Sequence, residues 1–279
     1  MDSAFLDDRA VIALSGPDAR TLLQGLVTND VEGLTPGTAR YAALLSPQGK
    51  ILFDFLVTEG EGALLIDVAR TSRDALLKKL KLYRLRARVE IEARDQLGVF
   101  VNLHGHPDNR PTTYAARAVT FADPRLPELG ARSIGSVAEM PANLPGPHAW
   151  HEHRLALGVP EAGDFGSEKI FALDAGLEEL HGVSFTKGCY VGQELTSRMK
   201  HRATTRKRIL TVTADAALPP NGTLSRGGAE IGEVLSVHGS RAFVLVRMDR
   251  LEDASGDVML DEIPVALHRP AWLAATHGA

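Results

Sequence analysis

Cysteine is nearly absent from this chain of 279 residues, in which Cys189 is the single thiol. One cysteine excludes an intrachain disulfide, a CxxC redox pair, and any zinc or iron–sulfur site that several cysteines of one chain would hold. Aromatic residues are also scarce, at 5% of the sequence, which argues against an RNA-binding surface built from stacked rings. We therefore do not expect a nucleic-acid partner.

Long hydrophobic runs are missing as well. No apolar run approaches the roughly 20 residues that a helix needs to span a bilayer. The opening decapeptide, MDSAFLDDRA, is too acidic for a signal peptide. We therefore expect a cytoplasmic protein with no membrane partner. The length and the 44% of hydrophobic residues suffice for two or three domains, each with its own core.

The formal net charge of −4 conceals a segregation of charge along the chain. Residues 70–94 and 187–208 together carry a net charge of +12, and the rest of the chain carries −16. Such segments can line a cleft that attracts an anionic ligand. They can equally be two solvated faces, because runs of charge usually lie on the surface.

The first hundred residues predict the order β-α-β-β-β-α-β, which indicates an α+β fold. Strands are predicted at 11–14, 41–45, 51–57, 63–68 and 86–93, and helices are predicted to begin after Ser15–Asp18 and at Thr71. Further strands are expected within 97–122, around a loop at 104–111. The alternation of Arg84, Arg86 and Arg88 would place these residues on one face of the last strand, as an anion-binding wall or a solvated face.

The second half of the chain predicts a connection, a short helix and a small β domain. Residues 139–147 are rich in proline, and 150–157 are predicted to be helical. Short strands at 206–213, 230–237, 241–247 and 258–267 indicate a small β-barrel or sandwich. We place the domain limits at 1–138 for the first part of an α/β body, 139–203 for its continuation, and 204–279 for a C-terminal β-barrel.

The segment around the cysteine carries the strongest chemical signal. Gly188 and Gly192 bracket Cys189, which indicates a turn with unusual dihedral angles or a close approach of a ligand. Lys187 and Arg198 are nearby, and a helix is predicted to begin at 194. Positive neighbours and a helix N-terminus favour the thiolate, which is both a nucleophile and a metal ligand. The competing interpretation is a small buried hydrophobic residue.

The octapeptide Lys-Gly-Cys-Tyr-Val-Gly-Gln-Glu at 187–194, followed by Arg198, resembles the signature of the YgfZ-type folate-binding proteins. These are relatives of the T-protein (aminomethyltransferase) of the glycine cleavage system. Other blocks of the family occur in the right order along nearly the whole chain: 16–19, 24–26, 28–30, 46–51, Asp54, 83–86, Val89, 154–156 and 158–160.

The resemblance implies two intertwined ferredoxin-like α/β domains and a small C-terminal β-barrel around a central channel. It also implies that tetrahydrofolate or a derivative binds in that channel. The implied role is the assembly or repair of [4Fe–4S] clusters, with A-type iron–sulfur scaffold proteins and [4Fe–4S] client enzymes as partners. Because one chain offers a single thiolate and a [2Fe–2S] cluster needs about four ligands, any such cluster would be transient and shared with a partner.

The same resemblance assigns roles to individual residues. Cys189 would be the reactive thiolate or shared cluster ligand, and Lys187 and Arg198 would keep it ionised. Gly188 and Gly192 would shape the turn. The candidate folate contacts are Asp54, Arg84, Arg86, Arg154, Tyr190, Gln193 and Glu194, of which the last two would also hold the turn by hydrogen bonds.

Two alternatives remain open at this stage. The chain could be a folate-dependent aminomethyl or one-carbon transferase, although Phe53-Asp54 stands where T-proteins have two adjacent acids, so stand-alone turnover is not expected. It could also be a basic module that binds RNA or an acidic protein. The neighbouring His148, His151 and His153 do not share one helical face, which argues against a metal site there.

Overall fold

The computed structural model describes residues 3–103, 118–141, 143–202 and 206–274. The described residues of the first half form two α-helices and nine strands: Ser3–Leu6 (β1), Arg9–Ser15 (β2), Ala19–Gln24 (α1), Ala39–Leu45 (β3), Ile51–Gly60 (β4), Ala63–Ala69 (β5), Arg73–Arg84 (α2), Glu90–Ala93 (β6), Leu97–Asn102 (β7), Val119–Ala122 (β8) and Ala131–Ser136 (β9). The second half begins with His148–Ala156 (α3), Ala162–Phe165 (α4) and Gln193–His201 (α5). It continues with Lys207–Thr213 (β10), Thr223–Arg226 (β11), Ala229–His238 (β12), Arg241–Arg247 (β13), Met248–Asp253 (α6), Val258–Leu260 (β14), Ile263–Pro264 (β15), Ala266–His268 (β16) and Ala271–Ala274 (α7).

The first sheet is antiparallel and has the strand order β3-β4-β5-β2-β6. Its interior strand β2 is apolar on both faces because both faces are covered. Side chains alternate along a strand, so Ile12 and Leu14 pack in the core that includes the buried leucines of α1 and α2. Val11 and Ala13 point to the opposite side, where they join a second core.

That second core lies against a four-stranded sheet with the order β1-β7-β9-β8. Leu6, Val99 and Ile134 from this sheet pack in the same cluster as Val11 of the first sheet. The chain therefore crosses between the two sheets at its start, since β1 belongs to one sheet and β2 to the other. The helix α3 adds Trp150 and Leu155 to this shared core.

The last third forms a seven-stranded sheet with the order β15-β14-β11-β12-β13-β10-β16, which curls into a nearly closed barrel. Its interior is a separate cluster that includes Leu210, Val244 and Ile231. The predicted α+β fold class with a C-terminal barrel is confirmed. The segment predicted as one strand at 258–267 is instead three short strands, and the loop predicted at 104–111 lies outside the described residues.

The predicted strand at 86–93 is wrong in its first half. The helix α2 continues through Arg84, because Leu76 and Leu80 keep a helical face buried to that point. An exposed turn follows, in which Leu85 has φ +47°, and Asp18 accepts a hydrogen bond of 2.8 Å from the backbone N–H of Arg88. Arg84, Arg86 and Arg88 therefore do not alternate along a strand, and all three are exposed.

No helix in the described part of the chain is long and apolar enough to cross a bilayer.

Candidate functional site

Cys189 is an exposed free thiol on the loop that precedes α5. We call residues 185–192 the cysteine loop. The loop ends at Gly192, which caps α5 with φ +81°. A Cβ atom at Gly192 would lie 2.5 Å from the carbonyl oxygen of Ser46 and 2.9 Å from Cβ of Leu45. The cysteine loop is thus pressed against the turn between β3 and β4, where only glycine fits.

Lys187 anchors the other side of the cysteine loop. Its ammonium group donates to the carbonyl oxygens of Gln24 at 2.6 Å, Val27 at 2.6 Å and Asn29 at 2.9 Å, so the three N–H donors are occupied. Burial lowers the pKa of Lys187 to about 8. The lysine therefore attaches the cysteine loop to the end of α1. A role of Lys187 in keeping the thiol of Cys189 ionised stays a prediction.

Tyr190 and Gln193 hold the loop from within. The tyrosine ring is buried, and the ammonium of Lys187 lies 5.2 Å from its centroid. Burial raises the pKa of Tyr190 to about 12, so the phenol stays neutral near pH 7. The backbone N–H of Tyr190 donates to Oε1 of Gln193 at 3.4 Å. Cys189 is therefore exposed between residues that are themselves fixed.

Glu194 and Arg198 pair with each other at 2.5 Å, one turn apart on α5. Half of the arginine side chain is exposed, so the pair contributes little to stability. The guanidinium of Arg198 is directed to Glu194 in this structure. A contact of Arg198 with the thiolate and a contact of Glu194 with the folate stay predictions.

The remaining candidate residues do not gather around the cysteine loop. Arg84 is the exposed last residue of α2, and Arg86 lies in the exposed turn that follows. Asp54 and Arg154 lie in the protein interior. Asp54 accepts hydrogen bonds from the hydroxyl of Tyr41 at 2.9 Å and from the backbone N–H of Ala162 at 3.1 Å. Burial, together with the nearby Glu161, raises the pKa of Asp54.

Asp54 borders a buried network of ion pairs that the sequence analysis missed. We call it the arginine network; its members are Arg9, Arg125, Arg132, Arg154, Asp67, Asp123, Glu161 and Asp164. Arg132 bonds Asp67 at 2.7 Å and Asp123 at 2.9 Å, and its side chain is 0% exposed. Four guanidinium groups face four carboxylates, so the charges of the named members balance.

The arginine network lies against aromatic rings. The guanidinium carbon of Arg132 lies 4.5 Å from the ring centroid of Trp150, and that of Arg125 lies 5.4 Å from the centroid of Tyr41. Arg154 donates to Asp164 at 2.6 Å and to Nδ1 of His151 at 2.9 Å. Its predicted contact with folate would therefore compete with existing partners.

Two of the three histidines of α3 have structural partners. His151 Nε2 lies 2.7 Å from a carboxylate oxygen of Asp8, and His153 Nε2 lies 2.7 Å from the carbonyl oxygen of Glu128. Across the described ranges, no three His, Cys, Asp or Glu side chains are grouped so as to hold a metal ion.

Two family models match this chain. The GCVT N-terminal domain matches residues 8–112, and the CAF17 C-terminal beta-barrel domain matches residues 206–275. A solved structure, the glycine cleavage system aminomethyltransferase T from Bartonella henselae, aligns with 97% of this chain and 85% of that chain at a TM-score of 0.77. Its sequence identity is 15%, so the similarity shows the fold alone.

The most informative comparisons are with curated proteins. The chain is 32% identical to the human protein named iron–sulfur cluster assembly factor IBA57, mitochondrial, over 88% of this chain and 78% of that protein. The chain belongs to the IBA57 family. The mouse protein of the same name is 31% identical over the same shares of both chains. The homologue from Mycosarcoma maydis is 33% identical over 79% of this chain and 59% of its own length.

The IBA57 comparison confirms the predicted similarity to iron–sulfur assembly proteins of the aminomethyltransferase superfamily. The narrower YgfZ-type label stays a prediction. The predicted cytoplasmic location is contradicted, because these IBA57 relatives are named as mitochondrial. Composition and the lack of long apolar runs do not distinguish one aqueous compartment from another, which is why that inference failed.

Proposed function

We propose that this protein acts in the assembly or repair of [4Fe–4S] clusters, with Cys189 as its one cluster-directed thiolate. The observation that carries the proposal is the exposed thiol on a loop held on both sides, by Gly192 on the β3–β4 turn and by Lys187 on the end of α1. An exposed ligand on a fixed loop can be presented to another protein without a large ordering cost.

The single thiol shapes the mechanism. A [2Fe–2S] cluster needs about four protein or small-molecule ligands. One chain supplies one, so the cluster is transient and shared, and the other ligands come from an A-type scaffold protein or a [4Fe–4S] client enzyme. Because a single iron–sulfur bond joins the cluster to this chain, breaking that bond releases the cluster. Cluster transfer then needs no large rearrangement of the chain.

Tetrahydrofolate binding is part of the same proposal. It is supported by the match to the GCVT N-terminal domain. Two of the residues predicted to bind the folate, Asp54 and Arg154, do not fit that role well, because both are buried and already have partners of their own. When bound, the folate would offer a one-carbon carrier, and this chain's residues would bind it and exclude water.

A cellular assay tests the role of Cys189. In cells that lack the protein, the Cys189→Ser variant is expected to lose the restoration of [4Fe–4S] enzyme activity that the wild type gives. Gly188→Ala is the matched control, because no atom lies within 4 Å of a Cβ at that position. Full activity with Cys189→Ser would refute a cluster-directed thiol.

The similarity to an aminomethyltransferase favours a second candidate, a folate-dependent one-carbon transferase. In that case Asp54 would position the folate and Asp54→Asn would abolish turnover of methylene-tetrahydrofolate with an amine donor. Absence of turnover by the purified wild type would exclude this candidate and leave the assembly role intact.

A further inference from the structure

Two leucines at the end of α2 have exposed side chains. Leu82 is 68% exposed and Leu85 is 85% exposed, and these are the large hydrophobic residues that are exposed in the described part of the chain. They stand three positions apart, a spacing that brings side chains together on a helix surface. Leu82 lies away from the face on which Leu76 and Leu80 are buried in the core. The fold therefore leaves an apolar pair in water.

The backbone at Leu85 shows that the fold does not require a leucine there. Its dihedral angles, φ +47° and ψ −108°, are those of the first central position of a type II′ turn, which favours glycine. The backbone N–H of Ala87 closes this turn by donating to the carbonyl oxygen of Arg84 at 2.8 Å. Glycine would adopt these angles without strain and would expose no apolar side chain. A contact outside this chain explains the leucine better than the fold does.

Exposed cations flank the two leucines along the chain. Four of them form no ion pair with a residue in the described ranges: Lys78, Lys81, Arg84 and Arg86. The neighbouring Arg88 differs, because its guanidinium pairs with Asp18 at 3.1 Å. We call the two leucines and the four unpaired cations the leucine patch. Its charge complements carboxylates, and its leucines suit an apolar pocket.

The leucine patch and the cysteine loop are attached to opposite ends of α1. Asp18, just before this helix, accepts from the backbone N–H of Arg88 at 2.8 Å, and Gln24, its last residue, accepts from the ammonium of Lys187 at 2.6 Å. The helix has six residues and is about 9 Å long. Both α1 and α2 cover the same face of the first sheet. A partner protein that reaches Cys189 is wide enough to contact the patch as well.

We propose that the leucine patch docks the protein that shares a cluster with Cys189. The two leucines enter an apolar pocket of that partner, and the four cations face carboxylates at the edge of the pocket. This inference rests on the proposed function and adds a second contact to the single iron–sulfur bond. A contact of this kind fixes the orientation of the partner and slows its dissociation.

An anionic bilayer is the other surface that suits leucines among cations. A helix that lies in the plane of a bilayer turns an apolar face toward the lipid along its length. The apolar face of α2 is instead buried, with Leu76 and Leu80 in the core. Two leucines at one end of a helix therefore favour a pocket in a protein.

The first test removes the leucines. The full chain is titrated with an A-type scaffold protein that carries a [2Fe–2S] cluster, and the dissociation constant is measured by microscale thermophoresis. The double variant Leu82→Ser with Leu85→Gly is expected to weaken binding by about tenfold or more. Because glycine suits the turn, this variant should unfold at a urea concentration no lower than the wild type does. Ala75→Ser, at an exposed position near the start of α2, is the control and should bind as the wild type does.

The second test reverses the charge. Arg84→Glu with Arg86→Glu is expected to weaken binding by about tenfold or more and to reduce its dependence on salt concentration. Arg206→Glu with Arg269→Glu is the matched control, because these exposed arginines flank the barrel strands β10 and β16 and give the same change of net charge. The control should bind within about twofold of the wild type.

The outcomes separate this inference from the proposed function. If the leucine variant binds the scaffold as the wild type does, the inference fails and the proposed function stands. If the leucine variant lowers [4Fe–4S] enzyme activity in cells while Cys189→Ser keeps it, the docking surface stands and the cluster role of Cys189 fails. If the wild type floats with phosphatidylserine–phosphatidylcholine vesicles and the leucine variant does not, the patch binds a bilayer and the inference fails.

Discussion

The two glycines of the cysteine loop, Gly188 and Gly192, differ in their surroundings. Gly188 precedes Cys189 by one position and Gly192 follows it by three, yet a Cβ at Gly188 would meet no atom within 4 Å beyond its chain neighbours. A Cβ at Gly192 would overlap the backbone of the β3–β4 turn, and φ is +81° there. The second glycine therefore sets the position of the loop, whereas a Cβ at the first would stand in open space.

We predict that Gly192→Ala lowers the free energy of unfolding by about 1–3 kcal/mol, because it adds both an unfavourable φ and a steric overlap. Gly188→Ala is expected to change it by less than about 0.5 kcal/mol. Urea unfolding of the two variants checks both values. Equal losses of stability in the two variants would show that Gly192 does not fix the cysteine loop against the β3–β4 turn.

The raised pKa of Asp174 predicts that the stability of the protein depends on pH. Burial raises its pKa from 3.8 to about 6, although Arg208 and Lys207 act in the opposite direction. Between these two values the folded chain holds a proton that the unfolded chain has lost, so this group's contribution to stability falls as pH rises through that window. We expect Asp174→Asn to be more stable than the wild type by about 1–3 kcal/mol at pH 7 and no more stable near pH 3.8. Urea unfolding at the two pH values measures this, and an equal difference at both would refute it.

At the scale of elements, the arginine network joins strands of both sheets to the segment around α4. Arg9 on β2 bonds Asp67 on β5 at 2.6 Å, and Arg132 on β9 bonds the same carboxylate at 2.7 Å. Glu161, just before α4, accepts from Arg125 at 2.9 Å. Charged groups at this depth are tolerated because each has partners, and they orient the two sheets relative to α3 and α4.

We predict that Arg132→Met destabilises the protein by about 3–5 kcal/mol, because it leaves Asp67 and Asp123 with fewer partners in the interior. Arg198→Met serves as the control and should cost less than about 1 kcal/mol, since its pair with Glu194 is exposed. Thermal unfolding of both variants provides the comparison. A loss at Arg132 no larger than at Arg198 would show that the network contributes little.

At the scale of the whole molecule, the basic segments do not form one uninterrupted positive surface. Several of their charges are already paired, as in Arg88 with Asp18, Arg73 with Asp95 and Arg208 with Glu179. The net charge of a segment therefore overstates the field that a ligand meets. Pairing across the fold decides which cations stay available.

We predict that the chain forms a complex with a purified A-type scaffold protein only when the scaffold carries a [2Fe–2S] cluster. Cys189→Ser should abolish the complex and Gly188→Ala should preserve it, because only the first variant removes a cluster ligand. Size-exclusion chromatography with the absorbance of the cluster reports both. A complex that persists without the cluster or with Cys189→Ser would contradict shared ligation.

Much of the first sheet was predictable because its signals are local. Alternating and continuous apolar stretches located β2 to β5, and the spacing of Leu76 and Leu80 located α2. The octapeptide around Cys189 located the loop. The arginine network was not predictable, because Arg9, Arg125 and Arg132 are of a residue type that is usually exposed. Their partners are also distant along the chain, as Asp67 is from Arg132, at 65 positions.

The sequence by itself determined the α+β class, a C-terminal domain of short strands and the one thiol, because these follow from periodicity, turn residues and counting. Only the tertiary structure decided what the charged and polar residues do. It buried Asp54 and Arg154 with partners and attached Lys187 to three carbonyl oxygens. The physical reason is that hydrophobic burial is recorded in local pattern, whereas pairing of polar groups depends on which distant segments the packed core brings together.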